Sequence, residues 1–277
     1  MKKRKIVSDS SSDIIELDGI DFSSVPLKIS TDERDFVDDR FLGVEEMTEY
    51  LDKYKGRSRT SCPNVHDWLS AFGDADEIFC ITMTSKLSGT YNSACAARDT
   101  YEKENPGKRV YIIDSLSTGP EIRLITEKII ELKNEKSSAE EICGKLSEYR
   151  KNTGLYFMLK SMKNLANNGR VSHLTAKLVG IAGIHIVGRA NEGELDPTDK
   201  CRGESRALER IVEHLQSAGS GIKKVKISHS MNEPAALKLK ELIVEKFSGV
   251  QIDVSKCRGL CSFYAERGGM IIGYEKI

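Results

Sequence analysis

Hydroxyl side chains placed just ahead of a helix can bind an anion, and two segments of the 277-residue chain have this form. One is Thr84-Ser85-Lys86-Leu87-Ser88-Gly89-Thr90-Tyr91, between a run of strand formers and a helical pattern. The other is Thr60-Ser61-Cys62-Pro63-Asn64, again leading into a helix. Amides at a helix N-terminus carry partial positive charge and hydroxyls add donors, so either segment could hold a carboxylate or a phosphate. Each also has a purely structural explanation, with Ser88 as a helix cap and Asn64 with Asp67 as a cap pair. Taken alone, the residues leave both explanations open. A Ser or Thr nucleophile in the 84–90 loop, serving a hydrolase or transferase, would need a base within hydrogen-bond reach. The five histidines, His66, His173, His185, His214 and His229, are far apart, and their spacing proposes no such base.

Familiar enzyme signatures are missing: there is no GxGxxG, no GxxxxGK[ST], no HExxH and no GxSxG. Seven scattered cysteines with no CxxC, and no His pair at zinc spacing, argue against a disulfide framework or a metal site. Lys plus Arg and Asp plus Glu both number 42, so the formal charge is zero. That balance lacks the excess of cations that a nucleic-acid binder or a polybasic membrane-surface protein carries. The longest apolar stretch, 178–188, is about half of the roughly 20 residues a membrane span needs, and His185 interrupts it. The basic start, Met1 to Lys5, runs into Ser8–Asp13 rather than an apolar segment, unlike a signal peptide. The expectation is a cytoplasmic protein with reduced thiols.

These clusters need elements to position them. Strand patterns at 5–8, 77–83 and 109–114 alternate with helical patterns at 44–55, 64–72, 88–104 and 121–136. In the last, Ile122, Ile125, Ile129 and Leu132 share one helix face, and Ser138 with Glu141 predicts a capped helix after it. Such alternation predicts a parallel sheet covered on both faces, a Rossmann-like α/β/α domain. The segment 25–37 reads as a small antiparallel excursion. Past residue 152 the pattern changes: a helix over 172–183, a strand over 184–189, a turn at Asn191-Glu192-Gly193 and a short strand at 194–195. Helix 204–216, strand 225–228, helix 232–247 and strands 251–254 and 270–274 follow. The expected fold class is therefore α/β with two domains, 1–152 and 153–277, the second an α+β domain with a mixed sheet.

Several motifs, in order along nearly the whole chain, resemble those of the DegV family of bacterial fatty-acid-binding proteins. Val7-Ser8-Asp9-Ser10-Ser11-Ser12-Asp13-Ile14 resembles V-T-D-S-T-A-D-L, Val25-Pro26-Leu27 resembles V-P-L, and Thr60-Ser61-Cys62-Pro63 resembles T-S-Q-P. Leu87-Ser88-Gly89-Thr90-Tyr91-Asn92-Ser93-Ala94 is similar to L-S-G-T-Y-x-S-A. Ile112-Ile113-Asp114-Ser115 resembles the next strand end, Leu165 with Asn168-Gly169-Arg170-Val171-Ser172 resembles L-x-x-G-G-R-I-S, and Lys200-Cys201-Arg202-Gly203 resembles K-V-R-G. The resemblance implies a long-chain fatty acid as bound ligand between two domains, with no other cofactor, and no catalysis by the chain itself. It places the carboxylate at Thr60 and Ser88, with Ser61 and the Gly89 amide beside them. It also puts Arg170 and Arg202 toward the headgroup or toward a partner, a fatty acid kinase subunit that converts the acid to an acyl phosphate for phospholipid synthesis. A lipid-responsive regulator would be the alternative use of the same pocket.

The chain departs from that family where it usually carries H-x-G-P-G. Here Tyr264-Ala265-Glu266-Arg267-Gly268 stands instead, with Tyr264 in place of the histidine. A phenol can donate one hydrogen bond but brings no charge near pH 7; Arg267 could compensate, or, next to the acidic Glu266, be only a member of a surface pair. Ile184-His185-Ile186 likewise replaces I-K-P. Burying about 14 methylenes at roughly 0.8 kcal/mol each gives a gross driving force near 11 kcal/mol. Much of that offsets lost freedom, so the hydrocarbon sets affinity while the hydroxyls set orientation.

Overall fold

The computed structural model describes residues 2–172, 183–219 and 221–277. The chain enters through β1 (Arg4–Asp9), β2 (Phe22–Val25) and three short strands, β3 (Lys28–Ser30), β4 (Asp35–Val37) and β5 (Arg59–Ser61). Between the last two lies α1 (Val44–Lys53), and after them come α2 (Val65–Phe72), β6 (Glu77–Thr82), α3 (Thr90–Glu104) and β7 (Arg109–Asp114). Strands β2-β1-β6-β7 form an all-parallel sheet in that order. Every residue of β6 is buried, because a parallel sheet is covered on both faces. On one side Trp68, Phe72 and Tyr101 pack from α2 and α3. On the other, α4 (Pro120–Asn134) and α5 (Ala139–Tyr149) bring Ile122, Ile125, Ile129 and Ile142. The capping boxes expected at Asn64/Asp67 and Ser138/Glu141 both form.

The strand order turns at β1 and β6: the connection from β1 goes to β2 on one side, while β6 pairs on the other. Loops leaving the carboxyl ends of these two strands diverge there, which is where open α/β sheets place ligands. The loop after β6 carries Ser88. The excursion expected at 25–37 is the antiparallel sheet β4-β3-β5, although Val25 itself belongs to the parallel sheet. Its third strand is recruited from Arg59–Ser61 and carries Thr60.

The second half builds a six-stranded mixed sheet. Its strands are β8 (Thr153–Leu159), β9 (Ile184–Asn191), β10 (Glu194–Arg202), β11 (Ile222–His229), β12 (Gln251–Lys256) and β13 (Met270–Lys276), ordered β10-β9-β8-β13-β11-β12. Only β11 and β12 pair in parallel. Between β8 and β9 the described residues include α6 (Lys163–Asn167), and later come α7 (Glu204–Ser217), α8 (Glu233–Lys246) and α9 (Gly259–Ala265). Helices α7 and α8 cover one face through Ile211, Leu215, Leu239 and Ile243. The opposite face meets α4 and the first half of the chain.

Several differences from the sequence reading have physical reasons. Strand β10 runs seven residues beyond Leu195 despite Pro197, because it is an edge strand with a bulge between Pro197 and Asp199. Helix α9 has apolar residues on all sides and only seven residues, so periodicity gave no signal; it is buried all round. The helix expected over 172–183 lies outside the described residues.

The β9–β10 turn forms with Glu192 and Gly193 both at positive φ, 50° and 89°. Its tip presses on the loop after β6: Thr84 Oγ1 donates to Gly193 O at 2.9 Å. A Cβ on Gly193 would stand 2.4 Å from that same hydroxyl oxygen. Gly193→Ala therefore meets both backbone strain and a clash, and we expect it to lower the urea unfolding free energy by about 1–3 kcal/mol. An unchanged midpoint would mean that the tip does not seat there.

Candidate ligand-binding site

The two carboxyl-end loops are tied together by Asp9, the buried last residue of β1. Its Oδ1 accepts the Ser11 N–H at 3.1 Å and its Oδ2 the Met83 N–H at 2.8 Å. Burial pushes this carboxyl up to about 6, against the opposing pull of those hydrogen bonds. With its start anchored at Met83, the β6 loop carries Leu87, Ser88 and Gly89 to the mouth of a cavity. Ser88 Oγ accepts the Thr90 N–H at 3.3 Å, a local bond across the turn, but it is not the helix cap: Gly89 is the N-cap and has no side-chain cap. The same side chain lines the cavity, and its hydroxyl proton remains to donate. The turn bond and a ligand contact are compatible in one serine. No histidine or carboxylate is hydrogen-bonded to it among the described residues.

The two hydroxyl segments meet in space. A Cβ on Gly89 would lie 3.4 Å from Cys62 Sγ, so the loop after β6 rests on the end of β5. Alternation along β5 turns Thr60 inward and leaves Ser61 exposed on the other face. Thr60 Oγ1 lies 2.6 Å from the Tyr264 hydroxyl, which α9 presents from the far end of the sequence. Burial raises the Tyr264 phenol above its ordinary range; the Thr60 hydrogen bond and the Arg170 charge oppose that rise. The tyrosine is therefore a neutral donor, as the sequence suggested.

The charge comes from Arg170. Its Nε donates to Leu87 O at 3.0 Å and its Nη1 to Asn168 O, which holds the guanidinium against the Ser88 loop and in the cavity wall. Arg267 does not do this. Helix α9 ends at Ala265, Glu266 reverses the chain with φ 55°, and Arg267 points away to pair with Asp52 at 2.7 Å. Arg202 is exposed at the end of β10 and does not line the cavity. Of the residues singled out in the sequence, the fold thus gathers Thr60, Ser88, Tyr264 and Arg170 on the cavity and puts Gly89 against Cys62. Ser61, Arg267 and Arg202 stand apart.

Behind this polar end the walls are apolar. Leu27 and Met83 come from the first half of the chain, Leu155, Phe157 and Ile271 from the mixed sheet, and Leu260 from α9. The cavity between these walls is narrow, about 70 Å³ in volume. Thr118 and Cys261, 3.8 Å apart, add a weakly polar spot to the wall that sequence reasoning missed. The arrangement suits a ligand with one small anionic head and a hydrocarbon body. Among the described residues no group of three or more His, Cys, Asp or Glu side chains is placed to hold a metal ion, and no helix is long and apolar enough to cross a membrane.

A family model described as "Uncharacterised protein, DegV family" matches residues 3–276. A DegV domain-containing protein of Streptococcus gordonii is 38% identical over 276 residues, 98% of either chain. Among solved structures, a DegV family protein from Eubacterium eligens loaded with heptadecanoic acid matches at TM-score 0.97 and 44% identity, over 99% of this chain and 100% of that one. The Streptococcus pneumoniae fatty acid kinase (Fak) B3 protein loaded with linoleic acid matches at TM-score 0.96 and 36% identity, with the same coverage.

Asp13 gives the site's surroundings a pH signature. Its Oδ1 accepts the Arg258 N–H at 2.8 Å, but Oδ2 is buried with no hydrogen-bond partner among the described residues, and burial pushes the carboxyl up to about 7. An acid whose pKa is higher folded than unfolded binds more protons in the folded state between the two values. Its contribution therefore weakens as pH rises from about 4 to about 7 and is flat above that window. Compared with Asp13→Asn, the wild type is expected to lose on the order of 1–3 kcal/mol of unfolding free energy between pH 5 and 8. Parallel pH profiles of the two proteins would refute that assignment.

Proposed function

The chain belongs to the DegV family, and on that footing we propose that it is a carrier holding a long-chain fatty acid between its two halves. The observation that supports this most is the Thr60–Tyr264 hydroxyl pair, 2.6 Å apart, at the head of an otherwise apolar cavity. The carboxylate accepts from the Ser88 hydroxyl and from the one proton that the Thr60–Tyr264 pair leaves free, and Arg170 supplies the countercharge. Charge-assisted hydrogen bonds of this kind contribute about 1.5–3 kcal/mol each, while the buried methylenes supply most of the gross driving force. Residues 1–152 hold the head and residues 153–277 close the hydrocarbon tunnel, with α9 crossing back to complete the head.

In this reading the chain makes and breaks no covalent bond. It presents the carboxylate to a separate cytoplasmic kinase that forms the acyl phosphate, a reading supported by the similarity to the pneumococcal fatty acid kinase (Fak) B3 protein. Arg202, exposed at the end of β10, is available to that partner rather than to the ligand.

Mass spectrometry of lipids extracted from the purified protein is expected to release a long-chain fatty acid; an empty extract, together with no displacement of a fluorescent acyl probe, would overturn the reading. Two arginines separate the headgroup assignment from its rival. Arg170→Gln should weaken fatty-acid binding by about 10- to 100-fold, and Arg267→Gln by no more than about twofold, as for an exposed ion pair. The reverse order would return the countercharge to Arg267.

A further inference from the structure

Helix α9 is seven residues long, too short to hold its own shape in water. Yet it must place the Tyr264 hydroxyl on Thr60. Its first amides are taken by two carboxylates from the other half of the chain. Asp38, fully buried, accepts the Gly259 N–H on Oδ1 at 2.8 Å and the Leu260 N–H on Oδ2 at 2.9 Å. Asp13 accepts the preceding Arg258 N–H at 2.8 Å. The approach is so close that a Cβ on Gly259 would stand 2.6 Å from Asp38 Oδ1 and 2.5 Å from Leu42 Cδ2.

Asp38 is also part of the frame that carries Thr60. It directly follows β4, and its own N–H donates to Leu27 O at 2.9 Å. Strand β4 pairs with β3, and in β3 Ile29 is the register partner of Thr60. On the helix side, Phe263 packs with Ile29, Phe36 and Met47 and stands edge-on to Tyr264, ring centroids 4.8 Å apart. The carboxylate that grips α9 and the threonine that meets its tyrosine therefore ride on one small sheet.

We propose that Asp38, with Asp13 beside it, is a positioning residue for the headgroup site: by gripping the start of α9 it sets where the Tyr264 hydroxyl stands relative to Thr60. The inference rests on the fatty-acid reading of the cavity, since ligand affinity is its readout. Asp38 does not itself line the cavity, but it is hydrogen-bonded to Leu27 and Leu260, which do, so the test has to separate an effect through Tyr264 from one through the apolar wall.

A double-mutant cycle tests this, with long-chain fatty-acid affinity measured by displacement of a fluorescent acyl probe and thermal midpoints recorded alongside. Asp38→Asn keeps the shape but can accept only one of the two amides. It should weaken binding by about tenfold, and so should Tyr264→Phe. The double variant should also be weaker by about tenfold rather than about a hundredfold, because the second change removes what the first has already misplaced. A cap with only a structural role lowers the midpoint and leaves the two losses multiplicative, which would overturn the proposal. If Asp38→Asn does not fold, Gly259→Ala perturbs the same contact from the helix side in the same cycle. A wild type that binds no fatty acid would sink the ligand reading itself; a wild type that binds, with multiplicative losses, sinks only the positioning role.

Discussion

A hydrogen bond between side chains 204 residues apart, Thr60 and Tyr264, brings the two halves of the molecule to one point. The elements around it are arranged so that this contact can form. Strand β5 turns Thr60 inward, the small sheet and α1 cradle α9, and the loop after β6 brings Ser88 and its neighbouring amide alongside. Because both partners are neutral hydroxyls and their mutual bond uses one proton, the pair leaves the head of the cavity with one free donor and without its own charge. The guanidinium of Arg170 then decides which sign of ligand fits, and the apolar walls behind decide what the rest of the ligand must be.

The second constraint is that one helix has to serve two sheets. Helix α4 buries Ile122, Ile125 and Ile129 against the parallel sheet and turns a polar side to the mixed one. There Arg123 Nη1 donates to Ser255 Oγ at 2.6 Å, and Thr153 Oγ1 donates to the Glu121 carboxylate at 2.7 Å. Lys226, nearly fully buried, bridges Glu127 and Asp253 at 2.6 Å each. Removing the partners of the buried Lys226 would leave its charge uncompensated, so the seam favours one relative placement of the halves.

Much of the first half could be read from residue order, because its signals are local. Period and burial mark β6, β7 and α4, and two capping boxes announce helix starts to within a residue. The hydroxyl segments at Thr60 and Ser88 were visible for the same reason: both precede helices. What escaped depends on pairing across the fold. Strand β8 and helix α9 are short apolar runs whose form is imposed by neighbours, and no local period separates one from the other. The sequence offered Arg267 as the countercharge because it lies three residues from Tyr264. The positive φ at Glu266 turns it out of reach, and Arg170, nearly a hundred residues earlier, arrives instead.

The most direct test is a crystal structure of the protein with a saturated long-chain fatty acid. The account predicts an elongated tail between Leu155, Phe157 and Ile271 of the mixed sheet and Leu27 and Met83 of the first half. It predicts the carboxylate within hydrogen-bond distance of Thr60, Ser88 and Tyr264, with Arg170 as the nearest cation. A carboxylate seated elsewhere, or a tail outside this cavity, would contradict it.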